Sequence, residues 1–409
     1  MTGQEENVSR LQIKYTMLNL IFWIMCCAMY GYATIFLQAR GLASGQIGLV
    51  KGGSSVLMIF LSPYLSSSVL KIPGLGLRKM TGSMMLLVLG LSGVLYLKNL
   101  PLLLLMALHM LINFVILAMM PLISNMGMAY MQAGEKVNYG VARGMGSLAY
   151  AVSAALFGYL TERAGADIVL YACSAAALLG LLLLWNMSEL PVKSREEAGK
   201  NRGQYFAVIG KYKSFLGILA GFALAFAATT ALETYLIHIV NHLGGGDFFF
   251  GIGIFTAAAS EGIMMALTPS LLRRFKSIQL LGISAVSFVI RNFLICLAPN
   301  LGILMAAELL QGASYGLLIA VIAYYVAERL ERDDQILGHT SVTIFINGIG
   351  ATFGNVAGGL VQEHFGLGAM YGAVCIWTAA GSLVVLALVK YIVKGQKRHN
   401  KHNNPQAYN

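Results

Sequence analysis

Apolar runs of about twenty residues recur along the whole sequence, and each is long enough to cross a ~30 Å hydrocarbon layer as a helix. Inside lipid every backbone N–H and C=O must find its partner within the protein, which helices achieve segment by segment. Twelve such runs are read, at roughly 15–38, 46–68, 79–97, 101–124, 140–161, 167–187, 213–240, 249–271, 278–297, 302–327, 340–362 and 369–393. The expected fold is therefore an all-α membrane protein of twelve transmembrane helices. Of 409 residues 57% are hydrophobic and 11% charged, which excludes a soluble globule. The first run is too long, and wrongly flanked, for a cleaved signal peptide.

The net charge of +11 suggests nucleic acid until the charges are placed. With twelve spans, the loops holding Lys71, Arg78, Lys79, Lys136, Arg273, Arg274, Lys276, Arg329 and Arg332 fall on one side, as does the basic stretch from Lys193 to Lys213. Both termini join them, while the opposite side holds only Arg40, Lys98 and Arg163. This positive-inside bias predicts a multi-pass protein of the cell membrane with both termini in the cytoplasm. The lipid bilayer is the expected partner, and nucleic acid is not. The five cysteines all lie in expected spans and read as small core residues rather than a metal or disulfide framework.

The longest polar stretch, 189–212, divides the chain almost in half. The halves echo each other at a shift of about 200 residues. Gly158-Tyr-Leu-Thr-Glu-Arg-Ala-Gly165 matches Gly359-Leu-Val-Gln-Glu-His-Phe-Gly366, Asn99-Leu100 matches Asn300-Leu301, and Gln46-Ile47-Gly48 parallels Phe249-Phe250-Gly251. The expected organisation is a six-helix bundle over 1–188, a cytoplasmic linker over 189–212, a second six-helix bundle over 213–393 and a cytoplasmic tail over 394–409. The two bundles are pseudo-symmetric, with a site near the midplane between them.

Six charged side chains interrupt the apolar runs: Lys51, Arg143, Glu233, Glu261, Arg291 and Glu308. Each costs roughly 2.5–3.5 kcal/mol at mid-bilayer, so such groups pair, face a cavity, or handle a proton or substrate. Glu261, in the middle of span eight, can take up and release a proton, or can serve as a fixed partner locking spans eight and nine. Arg291 and Glu308 bracket the turn at Pro299-Asn300 almost symmetrically, which puts them at equal depth in an antiparallel pair. An ion pair there offsets the burial of both, either permanently or until Glu261 takes a proton. Gln311 lies one turn beyond Glu308 and Tyr315 one turn further; the amide can bind a hydroxylated substrate but cannot carry a proton.

The Arg143 guanidinium is a five-donor fork suited to carboxylates or adjacent hydroxyls, unless it snorkels to headgroups. Lys51 either pairs across the halves or, as the favoured reading, snorkels outward. Glu233, two turns inside the outer end of span seven, is placed to line an outer vestibule. His109, near the repeat equivalent of Gln311, is a packing residue or a proton relay. Tyr30, Tyr32 and Gln38 supply aromatic and amide surface in span one, or belong to an interfacial belt.

Three stretches carry a family likeness: Phe36-Leu-Gln-Ala-Arg-Gly-Leu-Ala-Ser-Gly-Gln-Ile-Gly48, Tyr139-Gly-Val-Ala-Arg-Gly-Met-Gly-Ser147, and Arg291 through Asn300 with Leu310-Gln-Gly-Ala-Ser-Tyr-Gly316. The chain resembles the major facilitator superfamily over its whole length. Within it, the likeness is to the branch of phenylpropionate permease-like, nucleoside–proton and oligosaccharide–proton symporters. The resemblance implies the major facilitator fold, a functional monomer and substrate contact at Arg143. There are departures. The loop Leu65–Lys79 keeps basic residues but lacks the family's acid, and span five lacks the Gly-Pro of efflux members, which favours uptake. Gln311 stands where related symporters often carry His, and Ser124 and Asn125 stand where relatives tend to place an acid opposite the span-five Arg.

The expected function is thus proton-coupled uptake of a small polar organic solute, sugar-like or nucleoside-like, by alternating access. No cofactor is expected beyond the proton gradient. Export of small organic molecules and solute sensing are the alternatives. No hydrolase, zinc-protease or phosphate-loop motif is present, so neither an enzyme nor an ATP-driven pump is expected. Proton coupling is expected at Glu261, Glu308 and Arg291. Substrate contacts are expected from Arg143, Gln311, Tyr315, Asn125, Tyr32, Glu233 and His109.

Overall fold

The computed structural model describes residues 3–71, 76–188 and 211–403. All but two residues of the expected linker, the last part of the expected tail and the middle of the 65–79 loop lie outside these residues. Span one is Gly3–Cys26, carried through a widened turn at Cys27–Gly31 into Ala33–Ala39. Spans two to six are Ser44–Lys71, Leu77–Leu95, Leu102–Gln132, Tyr139–Ala164 and Ile168–Trp185. Span seven joins Lys213–Thr234 to Leu236–His242, span eight is Asp247–Leu272 and span nine Ser277–Cys296. Span ten is Leu301–Glu308, a widened turn at Gly312–Gly316, and Leu317–Arg329. Span eleven runs from Gln335–Val342 through a widened stretch, Thr343–Gly350, into Ala351–Asn403; Gly366, at φ 82°, breaks that last helix and begins span twelve.

Span four outruns its expected end at 124. Ser124 and Asn125 read as an exit in sequence, but Met126, Met128 and Tyr130 carry the helix on to Gln132. Elsewhere caps mark the starts. Asn138 accepts from the Val141 N–H and Asn300 from the Ile303 N–H, each at 3.0 Å, satisfying donors that the first turn leaves open. Large apolar side chains face outward, with Leu103 80% and Leu297 73% exposed. In water that surface would be a liability; against acyl chains it is the natural exterior.

The sequence echoes turn out to be contacts. Gly165 and Gly366 occupy equivalent turns at φ 86° and 82°, a left-handed backbone that side chains resist. Gly158 of span five packs on Gly251 of span eight, where a Cβ on Gly158 would lie 3.1 Å from the Gly251 Cα. The Tyr32 hydroxyl fills the same corner and donates to the Ala154 carbonyl at 2.5 Å. In the mirror position Gly359 of span eleven packs on the start of span two, and the Tyr235 hydroxyl donates to the Ser44 carbonyl at 2.9 Å.

Four residues beyond each of these glycines a glutamate caps the opposite half. Glu162 accepts from the Phe248 N–H at 2.8 Å, and Glu363 accepts from the Gly45 N–H at 2.7 Å. On the pseudo-axis the Thr34 hydroxyl donates to the Thr234 carbonyl at 2.6 Å, and His238 meets both Gln38 and Gln362.

All these contacts lie at the end remote from the termini, and they seal it. Toward the termini, spans five and eight have open space beside their small residues. Gly144 and Gly262 sit near the same helix faces as Gly158 and Gly251, about four and three turns away. Nothing lies within 4 Å of a Cβ built on either. One apolar core fills the first half and crosses at Tyr235 and Phe250, while a second, around Phe222, Phe288 and Leu318, belongs to the second half. At the termini end, Lys211 pairs with Glu331 at 2.7 Å and Asp334 at 3.1 Å, and the two carboxylates hold its ammonium above the ordinary lysine range.

Candidate functional site

The buried polar groups of the second half converge where spans seven, eight, nine and ten meet. Arg291, fully buried, places Nη2 2.7 Å from the Glu308 carboxylate, the pairing that equal spacing from the Pro299-Asn300 turn predicts. The same Nη2 lies 3.7 Å from the Glu233 carboxylate. The Gln311 amide nitrogen then donates to Glu233 at 2.8 Å and to Glu261 at 2.9 Å, so one amide joins two carboxylates from different spans. Its Oε1 and the Arg291 Nε are buried with no hydrogen-bond partner among the described residues.

Behind this cluster Asn292 donates to the Thr229 and Thr378 hydroxyls at 3.1 and 2.9 Å and accepts from Arg291 at 3.2 Å. The close approach of spans eight and ten depends on Gly312 and Gly316, where side chains would run into Ser260 and Glu261.

Glu233 faces open space. Its side chain keeps 39% of its surface, while Leu232, Thr234 and Tyr235 beside it keep 1% or less. Tyr315 stacks on Phe226 at 4.8 Å and its hydroxyl donates to the Asn347 side chain at 3.3 Å. The opposite wall comes from the first half. Arg143 lies 4.2 Å over the Trp23 ring and donates to Ser147 at 2.6 Å; Gly146 leaves room for that indole. Lys51 lies 4.9 Å over the Tyr30 ring, and Tyr150 packs edge-on to Trp23 at 5.9 Å. The walls are near enough for charge to act across them, Arg143 on Glu261 and Lys51 on Glu233.

The structure thus gathers Arg143, Glu233, Glu261, Arg291, Glu308, Gln311 and Tyr315 in one region. Three expected substrate residues are elsewhere. Tyr32 is fully buried in the seal between Gly158 and Gly251, committed by its hydroxyl to Ala154. His109 is fully buried inside the first half, stacked on Phe36 at 5.6 Å with Nδ1 3.2 Å from the Asn113 amide. Asn125 is exposed on the termini side of span four, beyond the Tyr139–Ser124 hydrogen bond.

Two further readings change. Lys51 does not snorkel outward: it is 5% exposed and turned inward onto Tyr30. Glu233 is central rather than peripheral, because the Gln311 amide of span ten reaches it at 2.8 Å. Sequence reasoning missed Trp23, Tyr150 and Asn292. A polar Asn beside a buried Arg was a usable signal; an aromatic in an apolar helix was not.

A model described as the MFS_1 like family matches residues 12–373. The chain belongs to that family. As a member it is a membrane transporter and not an enzyme. This MFS_1-like chain is similar to a maltose permease of Geobacillus stearothermophilus, 29% identical over 256 residues, or 62% of this chain and 64% of the permease. The match therefore spans less than two thirds of the permease's length.

It is also similar to YwbF, an uncharacterized transporter of Bacillus subtilis (strain 168), 26% identical over 372 residues, 89% of this chain and 88% of that one. Among solved structures it superposes on a mutant of the nucleoside transporter NupG with a TM-score of 0.80, at 13% identity over 93% of this chain and 99% of that one. A bacterial homolog of the human lysosomal transporter Spinster, inward-facing and unoccupied, gives a TM-score of 0.62 at 15% identity, covering 96% and 95%. At such identities the likeness shows the fold alone, and that fold is the major facilitator arrangement of two six-helix bundles.

Proposed function

We propose that this transporter takes up a small polar solute, sugar-like or nucleoside-like, together with a proton. The solute occupies the cavity between the Arg143 and Lys51 wall and the Glu233, Glu261 and Gln311 wall. The observation that carries the reading is the shared amide of Gln311, which holds two cavity carboxylates at hydrogen-bond distance. Glu308 is locked to Arg291, and Glu233 has Arg291 nearby, but no cation lies within 4 Å of Glu261 among the described residues. Glu261 is therefore the carboxylate free to exchange a proton, and Arg291 with Glu308 forms the scaffold that positions the others.

The amide can also register that proton. With both carboxylates charged, its NH2 group serves both and its oxygen has no donor. Once Glu261 is protonated, a rotated amide offers Oε1 to the carboxylic O–H while an N–H stays on Glu233. Protonation removes a buried negative charge, and this biases which end of the bundle is open. The basic loops support a cytoplasmic position for the termini end, and with that orientation the conformation sealed at the opposite end is the inward-facing one.

In proteoliposomes, addition of a transported solute is expected to carry protons inward with it. Glu261→Gln is expected to abolish solute-driven proton movement and accumulation while leaving exchange of preloaded solute. Intact accumulation and proton movement in Glu261→Gln would falsify this assignment.

A further inference from the structure

We propose that the transported solute carries one negative charge, as a hydroxylated monocarboxylate such as a sugar acid does, and that Lys51 and Arg143, the cations of the first-half wall, supply its counter-charge. This rests on the proton-coupled reading of the same cavity and names the class of solute it takes.

The argument begins with how the charges are divided. Both cations of the first-half wall rest on aromatic faces, Lys51 on Tyr30 and Arg143 on Trp23. Neither has a carboxylate within 4 Å among the described residues, although Lys51 is 5% exposed. The third cation, Arg291, has Glu308 at 2.7 Å and Glu233 at 3.7 Å. A buried ammonium without an anionic partner is costly, and a ring face offsets only part of that cost.

The sum of the charges gives the stoichiometry. Lys51, Arg143 and Arg291 balance Glu233, Glu261 and Glu308, so the empty site with every group ionised is neutral. A proton on Glu261 leaves one positive charge uncompensated, on the wall where Lys51 and Arg143 stand. A monoanion restores neutrality; an uncharged solute does not. Proton and anion therefore bind more tightly together than apart, and by linkage each strengthens the other equally. Guanidinium and ammonium are also the donors that a carboxylate selects, through charge-assisted hydrogen bonds. Tyr315, half-buried and backed by Phe226, offers its other face to the apolar side of a hydroxylated ring.

The full chain, purified and reconstituted, tests this with matched pairs: glucuronate against glucuronamide, galacturonate against galacturonamide, and gluconate against gluconamide. Binding is measured by thermal stabilisation, and transport by uptake under an imposed proton gradient. At least one acid is expected to bind about tenfold more tightly than its amide. Lys51→Gln or Arg143→Gln should remove that preference, and Lys51→Arg should keep most of it. Because a proton and a monoanion carry no net charge together, uptake should not respond to an imposed potassium diffusion potential.

The proposal is overturned if no acid outbinds its amide, if the preference survives both Gln variants, or if uptake rises with an inside-negative potential. Proton-coupled uptake of uncharged solutes would overturn the anionic class and leave the transport reading intact. Uptake of acids with no proton movement would overturn the coupling instead.

Discussion

Gly251→Leu is expected to abolish transport by keeping the two halves from meeting at the end remote from the termini. A Cβ on Gly251 would fall 2.7 Å from the Tyr32 hydroxyl and 3.0 Å from the Gly158 Cα, with the Ala154 carbonyl closer still. Helix backbones approach this closely only where small residues meet. Forcing extra carbons into a packed contact costs about 1–3 kcal/mol, and the cost falls only on the state in which the end is sealed. At about 3 kcal/mol the equilibrium shifts more than a hundredfold toward the state open at that end.

In a cysteine-free background, Thr34→Cys reports on this directly, because Thr34 is 1% exposed and bonded across the seal. Gly251→Leu should convert that cysteine from protected to rapidly alkylated by an impermeant maleimide. Uptake at the wild-type rate with Thr34→Cys still protected would show that the contact is no part of the cycle. Gly359→Leu, the repeat equivalent of a change at Gly158, should behave in the same way.

That seal was partly legible in the sequence. The pairs Gly158 with Gly359, Gly165 with Gly366 and Gly48 with Gly251 stood out as echoes, because a duplicated bundle places the same small residue wherever the same close approach recurs. Their partners did not stand out: nothing in a linear repeat says that Glu162 and Glu363 reach across to cap the opposite half. In the site, the depths of Arg291 and Glu308 follow from helix rise and a shared turn, so their pairing could be read.

The angle at which a helix presents a residue to another half is a property of packing, and there the reading failed. Lys51 turned inward and Glu233 proved central. Tyr32 and His109 looked like site residues because a polar ring in an apolar run reads the same whether it lines a cavity or fills a core.

The buried pair beneath the site sets the other large expectation. Arg291 and Glu308 are 0% and 1% exposed, and each is the other's nearest counter-charge. Removing one partner leaves an uncompensated charge in a dry interior and is expected to cost about 3–5 kcal/mol. Glu308→Leu should lower the thermal unfolding temperature in detergent sharply, as should Arg291→Met. The double variant Arg291→Met/Glu308→Leu replaces the pair by apolar groups of similar bulk, so it should regain most of the lost stability.

Its transport should nevertheless fail, because Arg291 is also the cation 3.7 Å from Glu233. Without it, Glu233 and Glu261 share Gln311 with no cation within 4 Å of either among the described residues, although Lys51 and Arg143 still match them two charges against two. A double variant no more stable than either single change would show that the pair does not act as a unit. One that is stable and still accumulates solute with protons would show that transport does not need the Arg291 cation beside Glu233.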